Sequence, residues 1–184
     1  MATWRRPGDV EVELHRVGHD LRPPEIVLVN TRAGAKCRAD DYINSGCGMG
    51  KAATLWLLER GVRLVGTDGW SWDAPFSWTR QKVAETGDAG LIWEGRRAGR
   101  EIGYSHLEKL HNLAALPADG FDVVCFRVKG ASGIGEVDAG GGDPAGVRGL
   151  YVAGTVSRIP ERPERLAQLA LVVDVAHRGD SVSY

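Results

Sequence analysis

The chain has little cysteine, no excess of charge of either sign and no long apolar run. Its three cysteines, Cys37, Cys47 and Cys125, have no paired spacing, which argues against a disulfide framework or a zinc knuckle. No apolar run reaches the ~20 residues that span a bilayer, and the first residues lack the hydrophobic segment of a signal peptide. The sequence therefore predicts a cytoplasmic protein with reduced thiols and no membrane partner.

The charge balance gives no sign of a polyanionic partner. Lys and Arg number 23 against 24 Asp and Glu, for a formal net charge of -1, and the basic residues form no stripe. We therefore expect no nucleic-acid partner. With 184 residues, of which 43% are hydrophobic, the chain is long enough to bury a core of its own.

Apolar patterning predicts strands that alternate with helices. The predicted elements, in chain order, are a short amphipathic helix within 9–20 that ends near Gly18, a buried strand at 26–29, a helix at 51–60 followed by Gly61, a strand at 62–65, a strand or turn within 98–116 and a strand at 121–128. This succession indicates an α/β domain with a mixed sheet layered by helices.

The turn at 66–76 is rich in indoles and follows the predicted strand at 62–65. Trp70, Trp72 and the carboxylate of Asp73 lie in it, and Trp78 comes shortly after. Each indole needs roughly 150–250 Å² of apolar cover, which either a ligand pocket or a buried aromatic cluster provides. Asn30 ends the strand at 26–29, at a sheet edge where polar residues often meet ligands.

Four segments of the chain, 26–31, 61–75, 107–113 and 121–129, resemble the cyclase family in order and spacing. This family comprises metal-dependent hydrolases that include bacterial kynurenine formamidase, an enzyme of tryptophan catabolism, and related arylformamidases. The resemblance implies a swivelling β/β/α domain, incomplete here, and assembly as a homodimer or higher homo-oligomer. It also implies hydrolysis of an amide, formamide or lactone and a small aromatic acyl substrate.

The resemblance further implies a divalent metal, zinc or manganese, held by an HxGTHxDxPxH segment that would precede Asp9. The chain has no such segment, and Arg96 stands where the family has a second histidine. Only Glu108 matches a metal-ligand position. His106 is a substitute ligand or catalytic base if 106 and 108 share one face of a strand, and an ordinary hydrogen-bonded histidine otherwise. Because a guanidinium neither ligates a metal nor acts as a base near neutral pH, we expect no efficient metal-dependent hydrolysis.

Two functions follow from these residues. In the first, the chain is an arylformamidase-like hydrolase whose substrate pocket contains Asn30, Trp70, Trp72, Asp73, Trp78 and Arg96. Arg96 then either disables the metal site or binds an anionic group of the substrate with its planar fork. In the second, the chain is an inactive binding or oligomerisation relic of the family, with no metal bound.

The segment 133–184 departs from the family. It contains no Lys, Phe, Trp or Asn, and residues 133–144 can be encoded so that the next reading frame gives ASARWTRAVAI, close to a strand of the family. The sequence therefore predicts a cyclase-family domain at 1–132, truncated at its N-terminus, followed by a frameshifted and poorly packed tail at 133–184. The alternative is a native C-terminal element, for which the apolar stretch 166–175 would supply a strand or helix.

Overall fold

The structure, a computed structural model, describes residues 4–123 and 168–174. The strands in these ranges are β1 (Trp4–Arg5), β2 (Ile26–Asn30), β3 (Gly48–Met49), β4 (Leu64–Thr67), β5 (Ser105–Leu107), β6 (Phe121–Val123) and β7 (Gln168–Asp174). The α-helices are α1 (Pro7–Val17), α2 (Lys51–Glu59), α3 (Phe76–Thr86) and α4 (Glu94–Arg97), and short 3-10 helices lie at Ala33–Lys36, Tyr42–Asn44, Ala89–Leu91, Ala98–Arg100 and Leu113–Ala115.

Five of the strands form one mixed sheet in the order β5-β4-β2-β7-β6. Strands β5, β4, β2 and β7 run parallel, and β6 pairs with β7 in the antiparallel direction. Strands β1 and β3 form a separate two-stranded parallel sheet. The arrangement confirms the predicted α/β class with a mixed sheet and helices.

Strand β2 lies in the middle of the sheet, which explains why its first four residues are apolar. All five of its residues are buried. Val27 and Val29 join a core cluster with residues of α1 and α2, whereas Ile26 and Leu28 join a second cluster with Phe121 and the 110–116 segment. Alternating side chains of one strand therefore serve two cores, one on each face of the sheet.

Local chemistry accounts for the two ends of α1. Pro7 occupies the first helical position, and the carboxylate of Asp9 accepts the Arg6 backbone N–H at 2.8 Å. The helix ends where Gly18 adopts a φ of 71°, a left-handed conformation that glycine takes without strain. The prediction of a short helix that ends near Gly18 is confirmed.

The remaining predicted elements agree with the structure to within a few residues, and several short elements were not predicted. The helix expected at 51–60 is α2, and the strand expected at 62–65 is β4, two residues later. The strand expected at 121–128 begins at Phe121 as β6, and its residues beyond 123 lie outside the described ranges. Helices α3 and α4 and the short strands β1 and β3 were not predicted from the sequence.

Strand β7 comes from the segment 133–184, for which the sequence left two interpretations. It pairs along its length with β2, from Ile26 opposite Ala170 to Asn30 opposite Asp174, and on its other side with β6. These residues therefore occupy a central position of the sheet. The boundary at 132 and the frameshift origin of the tail stay predictions.

The carboxyl ends of β2, β4 and β5 meet at one edge of the sheet and carry the segments that build the site described below. Residues Thr31, Asp68 and Glu108 directly follow these three strands. Loops at this edge are where open parallel sheets usually bind ligands. None of the helices in the described part of the chain has the length and apolarity that crossing a bilayer requires.

Candidate functional site

Asp68 fixes the loops at this edge and has a structural role. Its carboxylate accepts hydrogen bonds from the Thr31 backbone N–H and hydroxyl, both at 2.7 Å, and from the Gly34 N–H at 3.0 Å. The hydroxyl of Tyr42 donates to its carbonyl oxygen at 2.7 Å. Because both carboxylate oxygens are engaged by buried donors, Asp68 ties the loop after β2 to the loop after β4.

The segment after β5 is attached to the loop after β4 by its backbone. The Lys109 N–H donates to the Gly69 carbonyl at 2.9 Å, and the Leu110 N–H donates to the Thr67 carbonyl at 3.0 Å. Lys109 has a φ of 59°, so the chain turns sharply directly after Glu108. This turn positions the Glu108 side chain beside the indole-rich loop.

A cavity of about 260 Å³ opens between this loop and the segments around α3 and α4. Its lining residues are Ile43, Ser45, Cys47, Trp70, Ser71, Asp73, Ala74, Pro75, Phe76, Thr79, Ile92, Trp93, Arg96, Glu108 and Lys109. The walls are thus about half apolar, from aromatic and aliphatic side chains, and about half polar. Typical ligand pockets have volumes of ~300 Å³ or more. The volume of this cavity is slightly smaller, which suits a compound with one ring.

Glu108 is the hub of the polar region. Its Oε1 atom accepts hydrogen bonds from Nη2 of Arg96 at 2.6 Å and from the Trp72 backbone N–H at 2.8 Å, and the Ser71 hydroxyl lies 3.5 Å away. Burial alone would raise the pKa of Glu108, but the Arg96 hydrogen bond and the Trp72 N–H outweigh it and hold the pKa below its ordinary value. Glu108 is therefore an ionised carboxylate at neutral pH.

Asp73 is the second carboxylate that faces Arg96. Its Oδ1 atom accepts the backbone N–H groups of Gly95 at 2.7 Å and Arg96 at 3.2 Å. Its Oδ2 atom lies 3.3 Å from Nε of Arg96, yet the geometry is not that of a hydrogen bond, and both atoms are buried without a hydrogen-bond partner. Burial raises the pKa of Asp73, and the Arg96 contacts oppose this shift.

Arg96 is accordingly bound to both carboxylates. Burial favours loss of its proton, but the hydrogen bond to Glu108 and the nearby negative charges raise the pKa of Arg96 above its ordinary value. Nη2 also donates to the Ser71 hydroxyl at 3.2 Å. The guanidinium is thus a permanent cation held between two acidic side chains.

His106 lies beside this cluster and does not line the cavity. Its Nε2 atom is 3.4 Å from Oε1 of Glu108, which agrees with the expectation that 106 and 108 share a face. Burial lowers the pKa of His106, and the Glu108 charge offsets this only in part. The imidazole is therefore neutral at pH 7. Its catalytic role stays a prediction.

Besides the buried Oδ2 of Asp73 and Nε of Arg96, two accessible atoms of the cluster keep unused hydrogen-bonding capacity. Among the described residues, Oε2 of Glu108 and Nη1 of Arg96 take part in no hydrogen bond. Neither atom is among the buried polar atoms that lack a partner, so both have access to the cavity or to solvent. The polar region therefore offers one free acceptor and one free donor.

Three residues predicted for the pocket lie elsewhere, and this corrects the sequence interpretation. Trp72 is completely buried in the helix-side core, where its indole N–H donates to the Thr54 hydroxyl at 3.1 Å. Trp78 packs edge-to-face on Trp4, with ring centroids 4.4 Å apart. Asn30 is buried and accepts the Arg32 backbone N–H at 3.2 Å, so its side chain stabilises the turn after β2. Trp70, Asp73, Arg96 and Glu108 do line the cavity.

Sequence reasoning missed several lining residues. Lys109 follows Glu108, and its Nζ lies 4.5 Å from the centroid of the Trp70 ring. Its adjacency to Glu108 was the one available signal. Ile43, Phe76 and Trp93 also line the cavity and are exposed, at 38%, 61% and 60%. Exposure of such large apolar side chains depends on tertiary packing, which local sequence does not specify.

The residues present do not fit the divalent metal that the resemblance implies. Within 4–123 and 168–174, no three His, Cys, Asp or Glu side chains are grouped so that they could hold a metal ion. The Glu108 oxygen nearest to His106 is bound by Arg96. No step of a reaction is therefore assigned to a metal here.

Comparison with known proteins finds a family match over part of the chain. Residues 3–74 match the Cyclase family model, described as "Putative cyclase", which confirms the resemblance over this stretch. A solved structure of isatin hydrolase A from Labrenzia aggregata, bound to benzyl benzoate, is similar with 24% identity and a TM-score of 0.47, over 65% of this chain. The chain spans 45% of the length of that protein. No curated protein matches the chain.

Proposed function

We propose that the cavity binds a small aromatic amide or formamide and that the protein is an arylformamidase-like hydrolase of the cyclase type. The observation that carries this proposal is the free acceptor of Glu108 and the free donor of Arg96, on two residues that line the cavity. Trp70, Phe76 and Trp93 offer apolar surface for one ring. The cavity volume of about 260 Å³ supports a ligand of that size.

The pairing of a donor with an acceptor favours an amide over a lactone. A secondary amide presents a carbonyl oxygen, which can accept from Nη1 of Arg96, and an N–H group, which can donate to Oε2 of Glu108. A lactone has the carbonyl but no N–H, so it would leave the Glu108 carboxylate facing an oxygen. Charged hydrogen bonds of this kind are about twice as strong as neutral ones.

In hydrolysis, Glu108 would act on the attacking water. Oε2 of Glu108 would release the substrate N–H, accept a proton from the attacking water and deliver it to the departing nitrogen, while Nη1 of Arg96 would stabilise the negative charge that develops on the carbonyl oxygen. Because Arg96 and the Trp72 N–H hold the pKa of Glu108 low, its strength as a base is small. We therefore expect turnover to be slow.

The same contact favours a second candidate function, which is binding without turnover. The Arg96–Glu108 ion pair, with an N–O distance of 2.6 Å, stabilises the carboxylate as an anion and so weakens it as a base. In this case the protein is a binding module that keeps an aromatic pocket. The expected homo-oligomer would accompany either function and stays a proposal.

The test is release of aniline from formanilide by the purified full chain, with Glu108→Ala and Glu108→Gln as variants. Hydrolysis that both variants lose, with formanilide still bound by Glu108→Gln, supports the hydrolase. Saturable binding with no aniline release by the wild type supports the binding module. A wild type that neither binds nor hydrolyses formanilide contradicts both.

A further inference from the structure

Arg96 occupies the space between two acidic side chains that are largely removed from water. The side chains of Asp73 and Glu108 are 7% and 18% exposed, and the guanidinium lies 3.3 Å and 2.6 Å from their nearest oxygens. Two carboxylates at such depth repel each other and are costly to bury unless a cation compensates them. In this site the protein itself supplies that cation.

We propose that Arg96 is the built-in cation of this site and that its guanidinium keeps divalent metal ions out. Oxygen and imidazole groups are the usual protein ligands of manganese and zinc. Oε1 of Glu108, Oδ2 of Asp73 and Nε2 of His106 all face the guanidinium or lie beside its contact with Glu108. The inference concerns the ion content of the site and holds whether or not a ligand is turned over.

The guanidinium cannot leave this position cheaply. Arginine does not lose its proton in proteins, so an entering metal ion would meet a fixed positive charge. The Arg96 backbone N–H also donates to Oδ1 of Asp73, which anchors the residue beside one of the carboxylates it compensates. Moving the side chain out would leave both acids buried without their partner.

The guanidinium leaves one carboxylate oxygen of the cluster without a hydrogen bond. Oδ2 of Asp73 is buried and accepts no hydrogen bond, although Nε of Arg96 lies only 3.3 Å away. A spherical ion has no such angular requirement and could approach this oxygen and Glu108 together. Removal of the guanidinium should therefore leave two uncompensated carboxylates that attract a cation, even though the described side chains form no three-ligand set as they stand.

The experiment titrates Mn²⁺ into the full chain and follows the free ion by electron paramagnetic resonance. Wild type, Arg96→Met, Arg96→Lys and the double variant Arg96→Met/Glu108→Gln are compared. Arg100→Met, which removes an exposed arginine just beyond α4, is the control for a loss of positive charge. Circular dichroism establishes that each variant is folded.

We expect Arg96→Met to bind one Mn²⁺ at least ~10-fold more tightly than the wild type, because one positive charge has been removed within a few ångströms of the ion. The double variant should lose this gain, and Arg96→Lys and Arg100→Met should behave as the wild type does. A folded Arg96→Met protein that binds Mn²⁺ no better than the wild type would overturn the proposal.

Two further results would also overturn it, and neither needs Arg96→Met to fold. One is stoichiometric Mn²⁺ binding by the wild type that Glu108→Gln abolishes. The other is Glu108-dependent Mn²⁺ binding by Arg96→Lys, which keeps the charge. Failure of formanilide binding leaves all these outcomes unaffected, so the two proposals are tested separately.

Discussion

Trp70 and Trp72 stand two residues apart, yet they have different roles in the structure. Changing each to phenylalanine should therefore have different effects on stability and on ligand affinity. Trp72 is completely buried and bonded to Thr54, whereas Trp70 is 41% exposed at the cavity. Changing Trp72 to Phe removes part of a core ring and its indole hydrogen bond. From methylene burial and one lost hydrogen bond, we expect the free energy of unfolding to fall by about 3 kcal/mol.

The Trp72→Phe variant should nevertheless keep the ligand site. Glu108 receives the backbone N–H of residue 72, and this donor survives the substitution. We expect formanilide affinity in the folded variant to stay within about twofold of the wild type, since additive behaviour is usual for groups that share no side-chain contact. Trp70→Phe is the matched control, with a stability change below ~0.5 kcal/mol and an affinity that falls several-fold.

Urea unfolding monitored by circular dichroism, together with calorimetric titration of formanilide, measures both quantities on both variants. The assignment of Trp72 to the core would be wrong if Trp72→Phe unfolded at the wild-type urea concentration and lost ligand affinity. It would also be wrong if Trp70→Phe were the more destabilised protein. Either result would return the buried indole to the pocket, as the sequence first indicated.

Three other predictions concern stability and assembly. His19 contacts Glu25 at 3.0 Å and Asp119 at 3.1 Å; burial lowers its pKa, but these partners outweigh burial and raise it. The stabilisation that protonated His19 contributes is therefore full below the unfolded pKa of about 6.5 and is lost as pH rises through the folded pKa. The urea midpoints of the wild type and His19→Gln should accordingly converge above that range. Parallel midpoint profiles of the two proteins from pH 5 to 8 would contradict this prediction. Gly48→Ala should lower the free energy of unfolding by more than ~2 kcal/mol, because the new Cβ would meet the backbone of Asp73 and Ala74. Gly8→Ala has open space around the new methyl group and should be neutral or stabilising. Equal melting temperatures of the two variants would refute this contrast. Light scattering of the purified chain should give the mass of a homodimer or larger assembly, and a monomer at micromolar concentration would exclude that expectation.

The sheet and the first helices were predictable because their signals are local. The run Ile26 to Val29 is apolar on both faces, as a central strand must be, and Gly18 ends its helix by backbone conformation. Helix α3 was missed since it buries only Thr79 and therefore lacks a clear apolar stripe. Its start directly after Pro75 is the local signal that was available.

The residues that line the cavity were predictable only in part, and their arrangement was not predictable. Trp70, Asp73, Arg96 and Glu108 were all identified from the sequence, and they do meet at one cavity. Whether an indole points into a core or a cavity depends on the loop conformation, so Trp70 and Trp72 could not be distinguished. The Arg96–Glu108 contact joins residues twelve positions apart through tertiary packing, and no local pattern encodes it.

The central claim is that an aromatic amide is recognised by the free acceptor of Glu108 and the free donor of Arg96. Calorimetric titration of the wild type with acetanilide and with phenyl acetate tests it most directly, because the two differ only by N–H against oxygen. We predict that acetanilide binds about 10-fold more tightly, since the ester offers Oε2 of Glu108 no hydrogen-bond donor, and that Glu108→Gln reduces this preference. Equal affinities for the two compounds, or a preference for the ester, would contradict the account.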